Sequence, residues 1–233
     1  MIATMDEIER IQRRYEERDA SAALTGFWSL GNPAVLHTAQ ERERLVLAAL
    51  AARAIDLRAL RVLDVGCGLG VEFPNYLRWG AAAANVVGID LSHARLIHAE
   101  RRFGVPVVQA SGTALPFPDA SFDLVVQNVV FSSIVDDSMR RATAAEMLRV
   151  LRRGGHLLWY DAFRTRSHDP HFRSVPRAEV CALFTDVDWS FTTLTSDLGA
   201  TVRAQRWLGN WSLSLLDACR VLRTHLLGLG VKK

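Results

Sequence analysis

The stretch "RVLDVGCGLG" at residues 61–70 sets glycines at every second position directly behind a run of apolar β-formers, and retains an acid at Asp64. A short apolar run closed by glycines reads as a buried strand that turns sharply into a helix. Glycine in such a turn permits φ > 0 and lets a ligand approach the backbone closely. The bared amides and the helix N-terminus behind them suit a negative or electron-rich group. The motif alone fits a tight turn equally well. Its spacing excludes two readings. A dinucleotide fingerprint needs glycine at position 71, where Val71 stands, and a phosphate-binding P-loop needs a Gly-Lys-Ser/Thr that does not follow.

The flanking chain repeats strand and helix. Strands are predicted at 61–65, 85–92, 105–110, 122–130, 156–163, 187–194 and 224–233. Helices are predicted at 3–19 (Thr4 as cap with Glu7), 38–55, 71–79, 93–104, 139–155 and 177–184, with a loop over 25–37 and a helical stretch between the last two strands. Four or five apolar residues per strand fit strands buried on both faces, and the alternation predicts a parallel sheet with helices on either side. For 233 residues the simplest organisation is one α/β unit over 56–233, preceded by an N-terminal helical extension or lid over 1–55.

Composition removes several partner classes. The net charge is only +3, the sole lysines are Lys232 and Lys233, and the arginines are spread along helices, so no nucleic-acid partner is expected. Cys67, Cys181 and Cys219 are too far apart for a zinc site or a disulfide framework, which predicts no metal and a reducing, cytoplasmic setting. The N-terminus mixes charges of both signs, unlike a signal peptide, and no run is apolar enough to span a bilayer.

A second landmark, "VVGIDLS", places Asp90 at the end of the second strand, where a carboxylate accepts hydrogen bonds from a ribose diol. Capping the next helix is the alternative, although Ser92 can also do that. Taken in order, "LDVGCGLG", "VVGIDLS", "ALPFPDASFDLVV" and "MLRVLRRGGHLLWYD" resemble the successive motifs of class I S-adenosylmethionine-dependent methyltransferases of the type 11/25-like kind, over about residues 45–163. "ERERLVLAAL", "QNVVFSSIVDD" and "LRTHLLGLGVKK" resemble, more narrowly, bacterial enzymes of glycan or secondary-metabolite assembly. The resemblance implies a Rossmann-like seven-stranded sheet in the order 3-2-1-4-5-7-6, strand seven antiparallel. It also implies S-adenosylmethionine as cofactor, its methionine end held by Asp64 and the Gly66, Cys67, Gly68 and Gly70 turn, and its ribose by Asp90. Ile89, Leu91 and Leu115 are candidates to sandwich the adenine. Ser111 stands where the family usually has an acid facing the adenine amino group, which leaves the backbone of Gly112 and Thr113 to hold the ring edge. Gln127 and Asn128 would orient the acceptor or the cofactor's amino-acid end.

Methyl transfer from a sulfonium is an in-line displacement, so such an enzyme positions the acceptor and excludes water. The acceptor expected is a hydroxyl or amine of a small molecule such as a sugar or secondary metabolite, with Asp161, His37 or His168 as base. Each of these, like His171, also reads as a structural or surface residue. Tyr15, Trp28 and Tyr160 would line the pocket. The Trp/Leu-rich stretch with Trp207, Leu208, Trp211, Leu213, Leu215 and Leu216 could pack on the sheet, cover the acceptor or form a homodimer face; a membrane surface is the weakest reading. A cofactor-binding subunit without catalysis and a protein or RNA methyltransferase are the competing functions.

Overall fold

The computed structural model describes residues 2–21, 29–165, 169–196, 198–213 and 219–233. Its seven strands are β1 (Val62–Val65), β2 (Val86–Asp90), β3 (Val107–Gln109), β4 (Phe122–Asn128), β5 (Leu151–Ala162), β6 (Val187–Ser196) and β7 (Arg223–Lys232). They form one sheet in the order β3-β2-β1-β4-β5-β7-β6. The first five run parallel, and β7 is antiparallel to both of its neighbours. This is the topology that the resemblance implies.

Side-chain parity builds two cores. Val62, Leu124, Val126 and Leu158 point to one face, where they meet α2 (Pro33–Ala52), α3 (Phe73–Arg78) and α4 (His93–Phe103) through Val46, Leu50, Phe73 and Leu96. Leu63, Val65, Val125, Leu157 and Trp159 point to the other, against Met147 and Val150 of α5 (Asp137–Val150) and Val180 of α6 (Arg177–Leu183). With both faces covered, each large side chain contributes about 1.5–3 kcal/mol of burial. An N-terminal helix α1 (Ile2–Ala20) and a late helix α7 (Leu198–Leu208) complete the elements used below.

Several predicted boundaries move. Helix α1 begins at Ile2, so Thr4 lies inside it and is not its cap. The loop over 25–37 is too long and the helix over 38–55 starts late. Asn32 caps α2 through a hydrogen bond from the Ala34 amide, and Pro33 opens it with its fixed φ. Gly154 and Gly155 do not stop a helix. It ends at Val150, and β5 starts at Leu151, opposite Phe122; residues 152–155 bulge out of register before His156 pairs with Leu124. Trp28, His168, Leu215 and Leu216 lie outside the described residues.

All five parallel strands finish at one edge. The turns after β1, β2, β3 and β4 converge there, and the site is built from them.

Candidate active site

The turn after β1 is tied down by β2. The amides of Gly66 and Cys67 both donate to the Ile89 carbonyl, at 2.8 and 2.9 Å. The Gly68 amide donates to Asp90 Oδ2 and the Ser92 amide to Oδ1, each at 2.9 Å. A carboxylate offers about four acceptor positions, so two remain for a ligand. Ser92 caps α4 by accepting from the Arg95 amide, and Asp90 therefore does not serve as the cap. Gly66 and Gly70 have φ of +74° and +70°, and their missing side chains also make room for the protein itself. A Cβ on Gly66 would sit 2.5 Å from Val130 Cγ2, and one on Gly70 2.7 Å from Phe73 Cδ2.

Above this turn lies a cleft partly open to solvent. Val65, Gly66, Ile89 and Asp90 form its floor, Leu91 and Val130 its apolar sides, and Met139 and Thr143 of α5 its back. Helix α1 supplies a roof through Ile11, Gln12 and Tyr15. That roof is fastened at both ends. Glu7 accepts the Val135 amide at 2.7 Å, Arg10 donates to the Ser133 carbonyl at 2.6 Å, and the Tyr15 hydroxyl meets Ser133 Oγ at 3.1 Å. At the other end Arg95 pairs with Asp19 at 2.6 Å, with its guanidinium 4.4 Å above the Tyr15 ring. Burial opposes the Glu7 charge, but Arg10 and the backbone amides outweigh it and hold that carboxyl below its usual range.

A second, smaller cleft opens on the α2 side. Asn128 lines both clefts, and its Oδ1 is buried without a hydrogen-bond partner. Here Arg42 forms an ion pair with Glu72 and lies 5.1 Å over the Tyr160 ring, whose other neighbour is His225, stacked at 5.0 Å. Burial and the nearby Arg42 charge push His225 down to about 4, so it is neutral at physiological pH. Tyr76 lines this cleft and donates its hydroxyl to Asp64 Oδ2 at 3.2 Å. Burial first, then Glu72, raises the Asp64 carboxyl well above the usual range.

Not every candidate from the sequence reaches a cleft. Cys67 turns downward: its Sγ occupies the space beside Gly88, and burial raises its thiol, so its side chain is unavailable to a ligand. Gln127 borders only the second cleft and is itself fully buried; its Oε1 accepts from the Val130 amide and its Nε2 donates to the Tyr160 carbonyl. Asp161 is also fully buried and accepts from the Ser132 amide at 3.1 Å and the Ala162 amide at 2.8 Å, which pins the turn after β4 to β5 and removes it as an acceptor-facing base. His37 lies in the first turns of α2, not in a loop, and lines neither cleft. Ser111 and Thr113 bond each other at 2.8 Å, while Gly112 between them lines the cleft. Leu115 packs in the core, and its amide is held by Glu146.

Other residues come from tertiary contact alone. Thr143 lies against Gly112; it is 1% exposed, and its Oγ1 has no partner. In the sequence, Arg95 and Arg42 stand out only as charges along helices. Among the described residues no group of three His, Cys, Asp or Glu could hold a metal.

Bare backbone at Gly66, a carboxylate with spare acceptor capacity at Asp90, apolar walls and an unsatisfied hydroxyl at the far end together fit an adenosyl group. The fold and the cleft define a class I methyltransferase domain, and S-adenosylmethionine is the cofactor that such a domain implies. Comparison places the chain more closely. The family model described as "Methyltransferase domain" matches residues 63–159. A phthiotriol/phenolphthiotriol dimycocerosates methyltransferase of Mycobacterium ulcerans is 37% identical over 110 residues, 46% of this chain and 39% of that protein. A fatty-acid O-methyltransferase of Mycolicibacterium smegmatis is 38% identical over the same span and coverage. The chain thus matches well under half the length of these two curated relatives. Among solved structures, a putative sarcosine dimethylglycine methyltransferase from Galdieria sulphuraria superposes with a TM-score of 0.64 over 85% of this chain and 88% of that one. At 14% identity it attests the fold alone.

Proposed function

We propose that the chain transfers a methyl group from S-adenosylmethionine to an oxygen of a small acceptor that arrives already ionised, a carboxylate, carried on an apolar body. The observation that carries the cofactor half is the Asp90 carboxylate, fixed by the Gly68 and Ser92 amides beside the bare backbone of Gly66. Asp90 would hold the ribose, Ile89, Leu91 and Val130 the adenine faces, and the Arg42–Glu72 pair with Asn128 the charged amino-acid end. When bound, the cofactor supplies an electrophilic methyl on a positively charged sulfur. The protein's part is to align the acceptor and exclude water, and the α1 roof contributes to both.

The acceptor half rests on the acids. Asp161, the base placed best by sequence, is enclosed and committed to backbone amides, and His225 is enclosed, with burial and the Arg42 charge making its imidazole a weak base. A carboxylate acceptor needs no proton removed. One relative is named for methylating fatty acids, in agreement with this choice. The test has two stages. Titration calorimetry with S-adenosylhomocysteine should show binding, and no binding at millimolar concentration overturns the cofactor reading. Labelled methyl should then pass to medium-chain fatty acids in preference to the matching alcohols, and the reverse preference overturns the acceptor reading.

A further inference from the structure

Two charges in this molecule sit at the wrong ends of their helices. Asp19 lies in the last turn of α1 and Arg95 in the first turn of α4. A helix dipole disfavours an acid at its C-terminus and a cation at its N-terminus, so neither residue stabilises its own helix. Each meets the other instead. Arg95 Nε donates to Asp19 Oδ2 at 2.7 Å and Nη2 to Oδ1 at 2.6 Å, a two-point pairing that fixes the plane of the guanidinium. The Arg95 side chain is 9% exposed and that of Asp19 40%, so the cation is enclosed and its partner reaches it from the rim.

The third guanidinium nitrogen, Nη1, lies beside the turn after β1. A Cβ on Gly68 would sit 3.2 Å from Nη1 and 3.9 Å from Asp90 Oδ2, so the guanidinium and the carboxylate border the same space. Burial opposes the Arg95 charge, but Asp19 first and Asp90 second outweigh it. Arg95 is therefore shared between two carboxylates, one on the roof and one on the cleft floor. The roof meets this segment again where Gln12 Nε2 donates to the Leu91 carbonyl at 3.2 Å.

We propose that Asp19 is a positioning residue of the cofactor site: it holds Arg95 against the roof and so leaves the free acceptor positions of Asp90 to the ribose. The inference rests on the ribose role of Asp90. When α1 lifts, Asp19 leaves with it, and Arg95 turns to the carboxylate that remains. The ribose must then displace a charge-assisted hydrogen bond before it can bind. Roof closure and cofactor binding thereby favour each other, and the coupling is reciprocal.

Titration calorimetry with S-adenosylhomocysteine tests this in the full chain, comparing wild type, D19N and D19N/R95Q after circular dichroism has matched their folds. D19N should bind about tenfold more weakly, because Arg95 then covers Asp90. Removing that cation in D19N/R95Q should restore at least about threefold of the loss, although the tie to Asp19 is missing from both variants. A 2′,3′-dideoxyribose analogue makes no use of Asp90, so D19N should cost it less than about threefold. A D19N affinity within about twofold of wild type overturns the proposal. So does a double variant no tighter than D19N, or an equal loss for both ligands, since a merely structural tie predicts these. Wild type that fails to bind S-adenosylhomocysteine removes the cofactor reading itself, which separates that failure from the others.

Discussion

Replacing Asp90 by Asn separates the ribose-binding role from a purely structural one. The wild-type carboxylate accepts two backbone N–H groups at 2.9 Å, one on each oxygen, and keeps one acceptor position per oxygen for the cleft. An amide can accept on one side only, so in D90N an NH₂ must face either the Gly68 or the Ser92 N–H. Hydrogen bonds to a charged group contribute about 1.5–3 kcal/mol each. Losing one to a ligand hydroxyl and weakening the other should cost about 2–4 kcal/mol, or roughly 30- to 1,000-fold in Kd for S-adenosylhomocysteine. The internal mismatch should also lower the unfolding free energy by about 1–3 kcal/mol. Titration calorimetry at a temperature where both proteins are folded measures the first effect, and denaturant melts measure the second. A 2′,3′-dideoxyribose analogue closes the cycle: if Asp90 acts on the diol, the analogue should lose little further affinity in D90N. A folded D90N that binds the natural nucleoside within about threefold of wild type would refute the reasoning.

Other outcomes follow from the same geometry. Thr143→Val removes a buried hydroxyl that has no partner in the unliganded protein, so the melting temperature should hold or rise. Adenosyl affinity should fall about three- to tenfold, and an unchanged affinity would remove Thr143 from the cofactor site. Burial raises Asp161 from its ordinary 3.8 to about 6, so the folded protein holds that proton more tightly than the unfolded chain. Its ionised form therefore costs about 3 kcal/mol above pH 6, and the cost disappears as the pH falls toward 4. Glu7 and Asp19, held below their usual range, lose stability over the acid side of that window, so the measurement must be differential. Wild type should gain on Asp161→Asn as the pH drops from 7 to 4.5, and parallel stability curves would exclude the effect. Gly70 and Gly104 have nearly the same φ, +70° and +64°, but a Cβ on Gly104 meets nothing within 4 Å. G104A should cost about 1 kcal/mol and G70A about 3 or more, in denaturant melts, because only the latter adds overpacking.

What the sequence revealed and what it concealed divide along physical lines. Strand identity was legible because each strand is a short apolar run, and strand order followed from the family resemblance carried by the Gly turn, Asp90 and the "LPFPD" segment. The helix boundaries that moved did so for local reasons: Asn32-Pro33 is also a helix start, and Gly154-Gly155 lies in a bulge and not at a cap. The misplaced site residues were a failure of parity. Successive strand residues face opposite sides, and Leu157 and Trp159 belong to the α5–α6 core. Asp161 shares their parity, so the face it takes was readable from spacing. Gln127 falls in step with Val125 by the same rule and borders the second cleft alone, whereas Asn128, one residue on, takes the opposite parity and lines both clefts. Thr143, Arg95 and Arg42 had no comparable signal. Each lies on a helix face where a polar residue is unremarkable, and each acquires its setting from a segment remote in sequence: Gly112, Tyr15 with Asp19, and Glu72 with Tyr160. The proposed nucleoside end is carried by two short turns, the glycines after β1 and Asp90 at the end of β2, and such a pattern reads well from one chain. The side chains that separate helices bring to the clefts, Thr143 and Arg42 among them, emerge only once those helices are placed.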